Sequence, residues 1–150
     1  MNNSRLVLVV VLCMALFPIL SVSCSKDNSP TGPGHDLALV GFWKLTLMSS
    51  EDQGETVTYT EAQLDSMGVV WTYEIEDDGT IEQITNISGP LISMPGTWST
   101  SSNQLTLILT DPSGEPGTLV YEYEIDGDIL KLEWELTSGT KYYAEFTKQW

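Results

Sequence analysis

From residue 37 to residue 150, apolar and polar residues alternate in short runs that end in turn-forming residues. A period of two is the pattern of strands buried on one face, and no stretch sustains the 3.6-residue period of a helix. The runs are 39–48, 69–76, 80–87, 96–100, 104–110, 118–125, 129–136 and 140–148. Asp77-Asp78-Gly79, Asp126-Gly127-Asp128 and Ser138-Gly139 are hairpin signals, whereas 111–117 reads as an open loop. The expected fold is therefore all-β, an eight-stranded antiparallel meander. Closure into a small barrel buries one face and removes exposed edges; a two-sheet sandwich is the runner-up. The segment suffices for one domain and is too short for two.

The long connection 49–68, between the first and second strands, departs from this pattern. Thr60 and Gln63 are spaced as a capping box, predicting a short helix over 61–66 with Leu64 and Met67 facing inward. Lying across one end of the barrel, it would be either a lid over a ligand cavity or a plug on the core, and the plug is the preferred reading.

Alternation assigns an inner face. Trp71, Tyr73 and Ile75 share one side of their strand, as do Leu105, Leu107 and Leu109. Leu119, Tyr121, Tyr123 and Ile125 follow, then Leu130, Leu132, Trp134 and Leu136, then Tyr142, Ala144 and Phe146. An eight-stranded barrel is either filled by its side chains or holds one small ligand. So many large aromatics, with Ala144 the one small inward residue, favour a filled or narrow interior over a deep calyx. The candidate ligand-binding residues are Trp71, Tyr73, Leu107, Tyr121, Tyr123 and Trp134. If buried, the hydroxyls of Tyr73, Tyr121 and Tyr123 require partners. Glu74, Glu76, Glu122, Glu124, Glu133, Glu135 and Glu145 fall on the outer face.

Ahead of this domain, an apolar run (6–22) leads through Ser23 to Cys24, and a polar stretch without periodicity follows. The arrangement resembles the start of a bacterial lipoprotein, cut before the cysteine, which is then acylated. The run is interrupted by Pro18 and lacks a basic stop-transfer cluster, which favours a signal peptide over a membrane-spanning anchor. The resemblance implies a signal peptide over 1–23, a tether over 24–36 and the barrel over 37–150. It also implies a membrane attachment through lipid on Cys24, which two or more acyl chains make stable. Ser25 after the cysteine is similar to lipoproteins sent to the outer membrane, facing the periplasm or the cell surface.

Removing 1–23 takes Arg5 and leaves five lysines against 21 acidic residues, a net charge of −16. Nucleic-acid binding, which needs cations to neutralise phosphates, is excluded. The only remaining cysteine is Cys24, and the only histidine, His35, lies in the tether. Imidazole-dependent nucleophilic catalysis and Cys/His zinc sites therefore lack their residues, and no catalytic residue, metal site or cofactor is expected. A carboxylate-only hydrolase would need two carboxylates in a cleft, and alternation places nearly all of them outside.

Residues 39–45 (LVGFWKL) carry a Gly-x-Trp pattern at Gly41-Phe42-Trp43, and Asp78-Gly79-Thr80, Gly96-Thr97-Trp98 and Leu130-Lys131-Leu132 recur down the chain. Together these resemble the lipocalin-like domains of small bacterial lipoproteins. The resemblance implies a basic residue closing the barrel against Trp43, for which Lys141 and Lys148 are the candidates on the last strand. It further implies a non-enzymatic, monomeric binding protein for a small hydrophobic or aromatic ligand. The alternative is a filled barrel whose acidic outer surface binds a cationic protein partner, such as a lysozyme-type enzyme.

Overall fold

A computed structural model describes residues 34–87 and 89–150. The signal-peptide, tether-start and acylation expectations, Cys24 among them, lie outside the described residues. Among the described residues nine strands form one antiparallel sheet: β1 (Gly41–Asp52), β2 (Glu55–Thr60), β3 (Trp71–Ile75), β4 (Thr80–Thr85), β5 (Ile92–Ser101), β6 (Gln104–Thr110), β7 (Pro116–Asp126), β8 (Ile129–Glu135) and β9 (Lys141–Gln149). One short helix, α1 (Glu61–Ser66), follows β2. The order is β2-β1-β3-β4-β5-β6-β7-β8-β9, and β1 also pairs with β9. Eight strands thus close as a barrel, and β2 is an appendage.

That appendage was not expected. β1 gives one edge to β9 over its whole length and divides the other: Gly41–Lys44 pairs with β3, and Leu47–Asp52 pairs with β2. All six residues of β2 are exposed, although Val57 and Tyr59 alternate with threonines along it. Its signal is the turn, where Gln53 and Gly54 both take positive φ, 51° and 85°, as a two-residue hairpin loop demands. The short helix forms where the capping box places it, the Thr60 N–H donating to Gln63 Oε1 at 2.9 Å. Lys44 holds its outer side through Glu61 at 3.1 Å and Asp65 at 3.3 Å, and Leu64 on its inner side joins the core. Met67, expected to face inward, is exposed.

β5 is twice its expected length. The expected run begins at Gly96, yet residues 92–95 pair with β4 while the ladder to β6 begins only at Gly96. A proline is tolerated where one edge of a strand is unpaired.

One end of the barrel is sealed by residues 34–40, which end in a single 3-10 turn (Leu37–Leu39). Leu39 is fully buried, and its carbonyl accepts from Trp43 Nε1 at 2.6 Å. The Lys148 ammonium lies 5.1 Å above the Trp43 ring, so Lys148 and not Lys141 takes the closing position. Its stem runs over Gly41, where φ is +140° and a Cβ would collide with it. The Gly34 and Thr100 backbones bond reciprocally, and His35 packs on Trp98 at 4.5 Å. Above this seal Tyr73, Ile75, Leu105, Leu107, Leu130, Leu132 and Phe146 are all essentially solvent-free.

At the same end Tyr123 donates to Asp36 Oδ2 at 2.9 Å, tying residues 34–40 to β7. Burial first, then the Asp36 carboxylate, raises the Tyr123 pKa to about 12. In the unfolded chain the phenol titrates near 10. Its contribution is therefore complete below pH 10 and lost as pH rises from 10 to 12. Denaturant melts across that window should show stability falling, with a shallower fall in Tyr123→Phe. Equal slopes in the two proteins would contradict this assignment.

Candidate functional site

The opposite end is open. A cavity of about 450 Å³ enters the barrel there, floored by Trp71, Gln83, Leu109 and Tyr121, walled by Thr85, Ile92, Met94 and Trp134, and rimmed by Ile87, Asp111, Glu115 and Leu119. The interior is thus filled in its closed half and open in the other, where a filled or narrow interior was expected over a deep calyx. The room comes from small residues that alternation did not single out, Thr85 on β4 and Gly117 on β7. Ala144, the expected small position, sits in the packed half.

A cluster of aromatic rings builds the floor. Trp71 meets Phe146 edge-on at 5.4 Å and Trp134 at 5.9 Å, and Tyr121 meets Trp134 edge-on at 5.4 Å. Tyr142 stacks on Trp134 at 5.1 Å and 10°. Such contacts fix ring orientations, so the apolar surface beneath the mouth is preformed. At the rim, Asp111 Oδ1 accepts from the Ser113 N–H, the Ser113 hydroxyl and the Glu115 N–H at 2.8, 2.6 and 3.0 Å, which sets the shape of the β6–β7 loop. The Ser113 hydroxyl, more than any other group, holds the Asp111 carboxyl below its ordinary pKa.

Three of the six sequence-expected ligand residues line this mouth: Trp71, Tyr121 and Trp134. Tyr73 and Leu107 lie deeper, at 1% and 0% exposure, within the packed half. Tyr123 belongs to the closed end with Asp36. Of the three hydroxyls requiring partners, Tyr73 reaches Tyr121 at a long 3.5 Å. Burial drives the Tyr73 pKa well above the usual phenol value, and it pushes Tyr121 up as well. Leu119, assigned to the inner face, lines the rim of the mouth and is partly exposed there, whereas Leu136, beyond the end of β8, is exposed. No residue of α1 lines the mouth, so the helix is no lid over it; it packs on β1 and β2, and Leu64 is buried with the core.

The residue that sequence reasoning missed is Gln83. Alternation along β4 (Thr80-Ile81-Glu82-Gln83-Ile84-Thr85) turns Ile81, Gln83 and Thr85 inward, and all three are buried. Its Oε1 and the Trp71 Nε1–H, in residues only 4% and 7% exposed, have no hydrogen-bond partner among the described residues. The indole is close enough to Tyr73 to favour its phenolate slightly, but not in bonding geometry. Buried polar groups are nearly always paired, so two orphaned atoms, both themselves inaccessible to solvent, on residues that line one cavity are exceptions to that rule. Among the described residues no three His, Cys, Asp or Glu side chains converge as a cation site.

A family model for the lipocalin-like domain matches residues 39–132. Among solved structures, a lipocalin-like protein from Bacteroides uniformis is 22% identical, covering 74% of this chain and 98% of its own, with a TM-score of 0.49. An uncharacterized protein from Bacteroides eggerthii is 18% identical over 73% of this chain and 98% of its own, with a TM-score of 0.47. No curated protein matches the chain.

Proposed function

The chain belongs to the lipocalin-like domain family, and from that premise we propose that it is a non-enzymatic binding protein holding a small hydrophobic or aromatic ligand in the open mouth of its barrel. The observation that carries this reading is an apolar cavity of about 450 Å³ with two unpartnered polar atoms on residues that line it. Pockets for small molecules have this composition: a hydrophobic lining with a few polar groups that orient the ligand. Native mass spectrometry of the purified protein, followed by a hydrophobic-ligand screen, tests it. A retained molecule or a saturable ligand supports the reading; neither in both experiments defeats it.

The same proposal places the barrel in a bacterial envelope, on the outer membrane, held by acyl chains on Cys24. Supporting it are the apolar run ending at Ser23-Cys24 and the polar stretch after it. Labelling with a palmitate analogue in a lipoprotein-processing host should mark the wild-type chain and not Cys24→Ala; equal labelling would refute the assignment.

A second reading draws on the outer wall. Glu122 stands directly opposite Glu133, and Glu74 opposite Glu82. Like charges in register destabilise a sheet, so a cationic protein docking on the β7–β8 wall at Glu122 and Glu133 would relieve a cost the fold carries. Capture of such a partner that is lost at high salt would support it. The open mouth favours the ligand-binding reading.

A further inference from the structure

Resting on the second reading, in which the β7–β8 wall receives a cationic partner, we propose that this partner enters as an extended basic segment adding a strand to the free edge of β7. The ladder between β7 and β8 stops at Glu122 and Glu133. Beyond it β7 stays paired with β6 as far as Pro116, and Trp134 and Glu135 stay paired with β9. One more step would set Tyr121 opposite Trp134, whose rings instead meet edge-on at 5.4 Å. The two strands part there. A recess of about 380 Å³ lies between them, its lining including Val120, Tyr121, Glu122, Glu133, Trp134 and Glu135.

Alternation identifies the open hydrogen-bonding groups. The Tyr123 N–H donates to the Asn103 carbonyl at 2.8 Å on the β6 side, so odd-numbered residues of β7 serve β6 and even-numbered ones turn the other way. Thr118 and Val120, both exposed, thus present N–H and C=O groups that no strand among the described residues takes up. Pro116, with no N–H to offer, ends this edge. A row of unpaired strand groups is a template for another strand.

Charge selects the occupant. On an added strand, residues alongside Val120 share the outer face with Glu122, Glu133 and Glu135, and those alongside Leu119 and Tyr121 turn toward the barrel interior. Lys141, opposite Glu135 in the ladder, is the one cation among the described residues that line the recess. A segment alternating basic and apolar residues therefore matches both faces. A second copy of this chain does not, because it would set its own β7 glutamates against these, with a net charge of −15 on each chain.

The test titrates four probes into the ¹⁵N-labelled protein: an end-blocked octapeptide of alternating lysine and valine, its glutamate-for-lysine counterpart, a fully N-methylated copy of the first, and a basic lysozyme. The lysine peptide is expected to saturate, to move the Thr118 and Val120 amide resonances downfield and to weaken at high salt. The other two peptides should bind at least tenfold more weakly. Val120→Pro, folded by its amide spectrum, removes an N–H that the β6 ladder does not use and should weaken the lysine peptide about tenfold. An N-methylated peptide as tight as its parent, or an affinity undiminished in Val120→Pro, overturns strand addition. Salt-dependent capture of the lysozyme would then leave the acidic wall a docking face. A glutamate peptide as tight as the lysine one overturns the charge selection and the inference with it. Thr118 and Val120 shifts that grow with protein concentration alone assign the edge to a second copy and overturn it too. Binding by neither peptide nor lysozyme overturns the second reading as well.

Discussion

Trp43→Ala is expected to lower stability by about 3–5 kcal/mol, the range for removing a buried large aromatic. Small domains hold only about 5–15 kcal/mol in total, so this one residue carries a large part of the fold. Trp43 is fully buried, its indole N–H donates to the Leu39 carbonyl, and Lys148 covers its outer face. Truncation opens a cavity, leaves the Leu39 carbonyl without its donor and frees residues 34–40 from the barrel floor. Trp43→Phe separates these terms: it keeps most of the packing and loses the bond to Leu39, for a smaller cost of about 1–2 kcal/mol. Urea melts of both variants check the pair. A Trp43→Ala midpoint close to wild type would mean the closed end is not the rigid half of the barrel.

Gly96→Ala should be comparably damaging, by about 3 kcal/mol or more, for the opposite reason. Gly96 pairs with Ile81 on one side and Leu109 on the other, and a Cβ there would lie 2.1 Å from the Ile108 carbonyl oxygen. The obstacle is backbone, which cannot rotate away, so β5 and β6 must part and their ladder weaken. A matched control stands across the same partner. Gly117 also pairs with Leu109, and the nearest atom to a Cβ at Gly117 is the Leu109 carbonyl oxygen at 4.0 Å. Gly117→Ala should leave stability within about 1 kcal/mol of wild type and narrow the mouth by one methyl. Thermal unfolding of the two variants side by side tests the contrast; equal losses would refute it.

The barrel was legible because its strands obey a strict rule. Where one face is buried, period-two alternation names strand, face and register together. Trp71-Tyr73-Ile75 and Leu105-Leu107-Leu109 point inward as alternation requires, and the short turns leave little freedom in topology. β2 escaped within the long 49–68 connection: Val57 and Tyr59 alternate with threonines there, but the strand is short and none of its residues is buried. β5 outruns its expected 96–100 because residues 92–95, Pro95 included, form a ladder on one edge only, and which edge is free is not written in the local sequence. Both errors have one origin: edge pairing is a property of the assembled sheet and not of a local run.

The site was half legible for a related reason. Alternation sorts inside from outside but does not locate a residue along the barrel axis. Tyr73 and Leu107 are inside as expected, yet lie below the open half, and Tyr123 closes the far end through Asp36. Gln83 was passed over because a polar residue at an inward position carries no hydrophobic signal, although the same alternation turned it inward. Its significance emerged only when the cavity placed it with Trp71.

The most direct test of the account is methyl and amide NMR mapping of a neutral apolar probe, N-phenyl-1-naphthylamine, on the protein. The account predicts saturable shifts at Ile87, Ile92, Met94, Leu109 and Leu119 around the mouth, with Leu39, Leu107, Leu130 and Leu132 in the packed half unmoved. Shifts centred instead on the outer wall at Ile108 and Val120, or none that saturate, would contradict it.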